Sequence, residues 1–276
     1  MTWPWETVTL TPDGVVYYQM SRGEVVHLPF AARPLVPILA RLLGGIRGFV
    51  LISYASLLCA LWLYIAALRV MGLDWPSICI AIILFNVHPW LGKWLVKVPV
   101  LTDAPLTLCL ALATYAAVTG DLYLLACAAV AVAFIREYGV ILVCSLAILS
   151  LPAWWVILIG GFALSLYAIM RKQMPAAKPP DHPALAPFFG PWRQMVRHCW
   201  RLHASKRFNP LVVWGSMAVF ALVGLWVAPP EAWRLLPVIP AAYGQIFFGT
   251  DFERFNAQAW PAVLTLCACA CQGAMT

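Results

Sequence analysis

The polar side chains best suited to chemistry lie in the segment 13–41, ahead of a chain that is otherwise strongly apolar. They include Asp13, Tyr17, Tyr18 and Arg33. Asp13 stands in a Pro-Asp-Gly sequence, which is common in surface turns. A carboxylate held at a membrane surface could also serve as a general base that takes a proton from a hydroxyl group. The apolar and basic stretch 34–41 is suited to an interfacial helix that would direct Arg33 towards headgroups or a phosphate.

Asp103 is a second candidate, at the start of the apolar stretch 103–119. In the simplest interpretation it belongs to a helix N-terminus, with Thr102 or Asp103 as the cap and Pro105 in the first turn. An acid at the mouth of a helix could also share a divalent cation or a substrate hydroxyl with Asp13. Asp13 and Asp103 are therefore the possible metal ligands.

Two further charged clusters interrupt apolar sequence. Arg136 and Glu137 separate two apolar halves, and a charge inside lipid costs at least a few kcal/mol. We therefore expect a turn at the membrane surface, with Arg136 or Glu137 reaching into a site. Asp251, Glu253 and Arg254 form another polar turn, which is either a solvated loop or part of the same site.

The composition predicts an integral membrane protein. Of the 276 residues, 63% are hydrophobic and only 11% are charged, against roughly 25% charged in soluble domains. No polar stretch is long enough for a separate soluble domain. Most of the nine cysteines fall in apolar stretches, where a thiol acts as a small apolar side chain. The five histidines show no metal-ligand spacing.

Apolar stretches of roughly 15 to 22 residues predict an all-α, polytopic fold with about nine transmembrane helices. The expected spans are 48–70, 75–91, 103–119, 122–135, 138–152, 154–170, 210–228, 232–248 and 257–273. We expect one transmembrane domain over residues 1–276. It would comprise a polar loop with an interfacial helix (1–47), helices 1–6 (48–170), a basic interfacial loop (171–209) and helices 7–9 (210–276).

Nine crossings would place the polar connections on one membrane face, which we call the common face. It comprises residues 1–47, 92–102, 136–137, 171–209 and 249–256. This face carries 16 of the 18 lysines and arginines, and only Arg69 and Arg234 lie opposite. The positive-inside rule would place the common face in the cytoplasm. A site for a phosphorylated lipid would concentrate the same cations on either side.

The loop 171–209 becomes basic and aromatic towards its end. Apolar Trp192, Met195, Cys199 and Trp200 alternate with Arg193, Arg197, Arg201 and Lys206. This pattern predicts an interfacial helix that binds anionic membrane lipids. Nucleic acid is a poor ligand for the same patch, because the patch is tethered at the bilayer.

Four of these segments together resemble a known family. The stretches are DGVVYYQMSRG…PFAARPLVPILARLL, VPVLTDAPLTLCLALATYAA, AFIREYGVILV and GTDFERFNAQAWPAVL. In that order they resemble the first external loop, the fourth helix with its second acidic residue, the break after the fifth helix and the late arginine-bearing loop of GT-C-fold glycosyltransferases. These multispanning enzymes transfer sugars from polyprenyl-phosphate lipid donors. Each motif is degenerate alone, and the match of order and spacing covers most of the chain.

The resemblance implies a role for each candidate. Asp13 would be the base that activates the acceptor, and Asp103 would assist it or help hold a divalent metal ion. Arg254 and Arg136 would bind the donor phosphate, with Tyr17, Tyr18, Arg33, Glu137 and Asp251 also lining the substrate site. The resemblance further implies a bacterial inner-membrane protein whose active face is external, against the charge count.

Two other classes stay open. No apolar helix precedes Asp13 and one helix follows Arg254, whereas the family has a helix before its first loop. A non-catalytic GT-C-like subunit with a membrane-protein partner is therefore the alternative to an enzyme. A transporter is disfavoured, because no acid stands in the middle of an apolar stretch.

Overall fold

The computed structural model describes residues 10–27, 30–175, 192–205, 213–245 and 256–275, and contains no β-strand in these ranges. The helices are α1 (Pro12–Ser21), α2 (Leu35–Leu42), α3 (Ile46–Val70), α4 (Trp75–Val87), α5 (Gly92–Lys97), α6 (Asp103–Thr119), α7 (Leu122–Ile135), α8 (Gly139–Ala147), α9 (Ala153–Gln173), α10 (Trp192–Ser205), α11 (Met217–Val227), α12 (Pro230–Trp233), α13 (Val238–Gly244) and α14 (Trp260–Met275). The predicted all-α fold is confirmed.

Side-chain caps start several of these helices where the sequence places them. Asp74 accepts a hydrogen bond from the Ser77 amide at 3.0 Å, and Asp121 accepts from two amides at the start of α7. Such caps satisfy amide groups that have no partner inside the helix. At the other end of α6, Gly120 adopts a left-handed conformation with φ 77° and stops the helix.

The apolar stretches mark the helices well, and two of them, 103–119 and 122–135, coincide with α6 and α7. The expected helix 138–152 is shorter in the structure and ends at Ala147. The expected helix 232–248 is divided into α12 and α13, because Pro237 has no amide hydrogen with which to continue a helix.

The polar loop expected over 1–47 contains a second helix, α1, in addition to the expected helix α2. Asp13 does not stand in an isolated turn, because it lies in the first turn of α1. Thr11 caps this helix by accepting from the Gly14 amide at 3.1 Å, and Pro12 occupies a first-turn position where its missing N–H is not needed. Turn-forming residues here therefore begin a helix.

Helix α6 lies at the centre of the bundle. It packs against α3, α7 and α8, while α4 and α11 pack against α14. Its alanines, together with Leu106 and Leu110, are almost completely buried, as are Ala262 to Ala268 of α14. By contrast, α9 and α11 expose large apolar side chains such as Phe162 and Trp226. An apolar core surrounded by an apolar surface is expected of helices that lie in lipid.

Contacts between helix termini define two ends of the bundle. At the polar end, hydrogen bonds join His88 to the Val213 carbonyl, Arg136 to Thr102, and Gln258 to Tyr138. At the opposite end, the Asp74 amide donates to Gln272 at 3.2 Å, and Gly273 lies against Val227. Successive long helices thus run in alternating directions.

Among the described residues, two helices are long and apolar enough to cross a membrane, α3 and α9. The other apolar helices, α4, α6, α7 and α11, have 10 to 17 residues. The structure therefore gives weak support to membrane association, and the expected nine crossings are not confirmed.

Gly224 sets the distance between α11 and α14, which yields a test of this packing. A Cβ atom at Gly224 would lie 1.9 Å from the Leu266 carbonyl oxygen, so Gly224→Ala must push the helices apart. We expect a loss of about 1–3 kcal/mol in the free energy of unfolding, measured by chemical denaturation in detergent. Gly161→Ala is the control, because nothing lies within 4 Å of its Cβ position; we expect it to be about 0.5–1 kcal/mol stabilising. Equal effects of the two changes would contradict this packing.

Candidate functional site

The break between α7 and α8 positions the two charged side chains at its centre. Helix α7 ends at Ile135, and Arg136 is extended with φ −157° and ψ 112°. The chain then turns back into α8 at Gly139, where a Cβ would lie 2.3 Å from a methyl group of Val132. Only glycine permits this close return. The turn expected from the sequence is therefore present, and both charged side chains point into protein contacts.

Arg136 is bound by the N-terminus of α6. Its Nη1 lies 3.1 Å from Asp103 Oδ1, and its Nε donates to Thr102 Oγ1 at 2.9 Å. The side chains of Arg136 and Asp103 are only 2% and 8% exposed. Removing either partner of such a buried pair strongly destabilises a fold, because the remaining charge is left uncompensated.

Glu137 makes the second ion pair, with Arg33. Nε and Nη2 of Arg33 each donate to a carboxylate oxygen at 2.8 Å, and Arg33 Nη1 approaches the Tyr17 hydroxyl at 3.4 Å. Burial, the largest influence, raises the pKa of Glu137, but the charge and hydrogen bonds of Arg33 outweigh it and hold that pKa below its ordinary value. The bidentate pair thus fastens the segment before α2 to the α7–α8 break.

Tyr138 and Gln258 extend the cluster to the start of α14. Arg136 Nη1 donates to the Tyr138 hydroxyl, which also accepts from Gln258 Nε2 at 3.4 Å. Sequence reasoning missed Tyr138, Gln258 and the role of Thr102 as a partner. The position of Tyr138 directly after Arg136 and Glu137 was an available signal. Nothing in the sequence near Gln258 points to this cluster.

Asp13 lies beside the same end of the bundle without belonging to either ion pair. The adjacent Gly14 packs against Val100, three residues before Asp103, with 3.7 Å between its Cβ position and Val100 Cβ. Asp13 is partly exposed and lies close enough to His27 for its charge to act on that imidazole. Burial lowers the pKa of His27, and the charge of Asp13 acts in the opposite direction without reversing the shift. Asp13 is therefore a partly exposed carboxylate at the same end of the bundle as the two ion pairs.

Tyr18 lies apart from its neighbour Tyr17. The Tyr17 side chain is fully buried against Phe30, with ring centroids 5.2 Å apart. Tyr18 is partly exposed and its ring approaches Gly45 in the turn between α2 and α3. Consecutive positions on a helix face different directions, so one tyrosine joins the ion-pair cluster and the other does not.

The residues present do not fit a metal ion at Asp103. Its carboxylate already faces the guanidinium of Arg136, which supplies the positive charge that a divalent cation would bring. Within the described ranges, no group of three or more His, Cys, Asp or Glu side chains could hold a metal ion. We therefore assign no step to a metal.

Several predicted residues lie outside the described part of the chain. These are Asp251, Glu253 and Arg254, and also Lys206. The expected basic helix is present as α10, on which Arg193, Arg197, Trp200 and Arg201 are exposed and Cys199 is buried. The structure thus brings together Tyr17, Arg33, Asp103, Arg136 and Glu137, which are spread over more than 120 positions of sequence.

Comparison of the chain with protein-family models, with characterised proteins and with solved structures finds no match. The arrangement can be judged only on its own chemistry. It offers a partly exposed carboxylate, Asp13, at the same end of an apolar bundle as two ion pairs that connect three segments.

Proposed function

We propose that this protein is a membrane glycosyltransferase of the GT-C type, which moves a sugar from a polyprenyl-phosphate lipid to an acceptor hydroxyl. The observation that carries the proposal is the position of Asp13 at the bundle end where Arg33, Asp103, Arg136 and Glu137 converge. Only 11% of the residues are charged, and these charged groups lie together at one end of the bundle. A lipid-borne phosphate and a soluble acceptor could meet there. The order of the four sequence segments described above is the second support.

The proposed reaction is an inverting displacement at the anomeric carbon. The acceptor oxygen forms a bond to that carbon as its proton passes to Asp13, and the bond from the carbon to the phosphate oxygen breaks. Polyprenyl phosphate leaves with the bonding electrons. A positioned base assists the attack, and cations near the leaving oxygen stabilise its charge. Arg254 is the proposed phosphate ligand, while Arg33 and Arg136 shape the site through their ion pairs.

We further propose that the bundle spans the membrane about nine times, with the polar end at one surface. Exposed aromatic side chains mark the other surface, since tryptophan and tyrosine favour the headgroup level. Six of them lie at or near helix termini of the opposite end: Trp75, Tyr123, Trp154, Trp155, Trp226 and Trp233. Such rings would be disfavoured on a surface that faces only water.

Cysteine labelling tests this topology. On a cysteine-free background, Arg22→Cys and Lys97→Cys should react with a membrane-impermeant maleimide from one side. Thr119→Cys and Glu231→Cys should react only from the other side. Arg22, Lys97 and Thr119 are exposed and Glu231 is partly exposed, so all four positions are accessible to the reagent. Labelling of residues 22 and 97 from opposite sides would contradict the single polar surface and the enzyme proposal with it.

The basic helix α10 is the proposed contact for anionic membrane lipids. Its exposed Arg193, Arg197 and Arg201 carry the charge, and Trp200 is the exposed aromatic side chain. Clusters of this kind bind anionic headgroups at about 1 kcal/mol per basic residue. We place the protein in a bacterial inner membrane with the polar end external, as the family resemblance implies.

The enzyme proposal is tested by donor turnover. Purified protein in proteoliposomes is given polyprenyl phosphates carrying radiolabelled glucose or mannose, together with a membrane extract as the source of acceptor. We expect protein-dependent transfer of label and release of polyprenyl phosphate. Absence of transfer with every donor, from protein that retains its cooperative unfolding, would contradict the proposal.

A non-catalytic GT-C-like subunit is the second candidate, and one observation favours it. Arg136 and Asp103 neutralise each other, as do Arg33 and Glu137, so these groups are already occupied within the chain. A subunit would keep such pairs for structure and would bind a membrane-protein partner through the 13–41 segment. Crosslinking from residue 22 to another membrane protein, with no transfer activity, would favour this candidate.

A further inference from the structure

A narrow cleft opens beside the buried ion pair of Arg136 and Asp103. Trp90, Asp103, Thr107, Gln258 and Trp260 line it, together with leucine side chains. It leaves room for about one water molecule. Its lining residues come from the segment around α5, from α6 and from the start of α14, so the cleft lies at the polar end of the bundle.

Apart from the carboxylate of Asp103, which is ion-paired with Arg136, two buried polar atoms of the cleft residues have no hydrogen-bond partner among the described residues. These are the carboxamide oxygen of Gln258 and the indole N–H of Trp260, whose residues are 6% and 1% exposed. Leaving such a group without a partner costs about 1–3 kcal/mol. Native proteins contain few of them, and a ligand or an ordered water commonly provides the missing bond.

The hydrogen-bonding capacity of these two atoms indicates which chemical group could bind to both of them. The Gln258 oxygen only accepts a hydrogen bond, and the Trp260 N–H only donates one. A hydroxyl group does both, whereas a carbonyl only accepts and an ammonium only donates. A phosphate is too large for the cleft, and it would also face the carboxylate of Asp103.

We propose that this cleft receives one hydroxyl group of the sugar carried by the lipid donor, with Gln258 and Trp260 as its partners. The inference rests on the proposed function, because sugar transfer supplies the hydroxyl-bearing ligand. It adds a specificity-determining contact to that function. Sugars that present a hydroxyl at this point are accepted, and those that lack it leave two buried polar atoms unsatisfied. Discrimination by such a site can be large.

The experiment compares the binding of lipids with and without a sugar. The protein is placed in nanodiscs free of glycoside detergents. Dissociation constants are measured for bare polyprenyl phosphate and for polyprenyl phosphates carrying glucose or mannose. The wild type should bind at least one sugar-bearing lipid more tightly than the bare lipid. Gln258→Met keeps the side-chain volume and should reduce that preference, taken as the ratio of the two dissociation constants within each variant, about tenfold.

Two further variants keep the test interpretable. Trp260→Phe removes the indole N–H and makes the buried ring smaller. It should weaken the preference in the same direction, and it provides the test if Gln258→Met fails to fold. Gln272→Met is the matched control, since Gln272 lies at the opposite end of the bundle, and it should leave the preference intact.

The outcomes separate this inference from the proposed function. A preference that persists in both Gln258→Met and Trp260→Phe means that the cleft holds only water, and the inference is wrong. Equal binding of bare and sugar-bearing lipids by the wild type also overturns the inference, while the lipid-donor proposal stands. Failure to bind any of these lipids contradicts both.

Discussion

Asp13→Asn is expected to lower the rate of sugar transfer by about 10²–10⁴-fold, the usual loss when a positioned general base is removed. Asparagine keeps the size of the side chain and can still accept hydrogen bonds in the first turn of α1. It cannot take the proton of the acceptor hydroxyl. The loss of one negative charge at a helix N-terminus costs only about 0.3–1 kcal/mol, so folding and lipid binding should be nearly unchanged.

The measurement is transfer of labelled sugar from polyprenyl phosphate in membranes that contain equal amounts of each variant. Glu24→Gln is the matched control, because Glu24 is an exposed acid that pairs with Arg22 across 3.5 Å near the end of α1. It should transfer at the wild-type rate. Arg254→Ala should differ from Asp13→Asn by weakening donor binding as well as turnover. Full activity in Asp13→Asn would contradict the catalytic assignment and make the non-catalytic subunit the preferred function.

Arg136→Met is expected to destabilise the fold by about 3–5 kcal/mol, because it leaves the carboxylate of Asp103 buried without its cation. It also removes the donors to Thr102 and Tyr138. The protein would then relieve the buried charge by protonating Asp103 or by opening the start of α6. Either response weakens the contact between the start of α6 and the α7–α8 break. Denaturant-induced unfolding in detergent measures the loss.

Two comparisons identify burial as the cause. Arg22→Met removes an arginine from an ion pair whose side chains are 65% and 46% exposed, and such pairs contribute about 0–1 kcal/mol. The double variant Asp103→Leu and Arg136→Met should recover much of the stability lost by Arg136→Met, because no unpaired charge remains. An effect of Arg136→Met no larger than that of Arg22→Met would contradict the buried ion pair.

The helices were largely predictable from the sequence, because hydrophobic runs and capping residues are local properties. The stretch 103–119 begins with an acidic first turn and ends at Gly120, and the structure reproduces both limits. Predictions were wrong where two signals competed. Thr11, Pro12 and Asp13 suit both a turn and a helix start, and the partly buried packing of α1 against the rest of the bundle favours the helix.

The candidate site was predictable only as a set of residues. Composition and spacing identified Arg33, Asp103, Arg136 and Glu137 as polar groups in an apolar chain, and alternating helices implied that they share one end. The choice of partners depends on which side chains face each other across packed helices, and no local pattern encodes it. For this reason the sequence did not reveal that Arg136 pairs with Asp103 and Glu137 with Arg33.

The sequence by itself determined the all-α fold, because its apolar runs of helical length can satisfy their own backbone hydrogen bonds within each helix. Only the tertiary structure decided that Asp103 lies in a closed ion pair while Asp13 stays accessible to solvent. The physical reason is distance: electrostatic pairing requires atoms within about 4 Å, and residues 33 positions apart reach that separation only through helix packing. The same packing brings Gln258 to Tyr138 and forms the cleft beside Asp103.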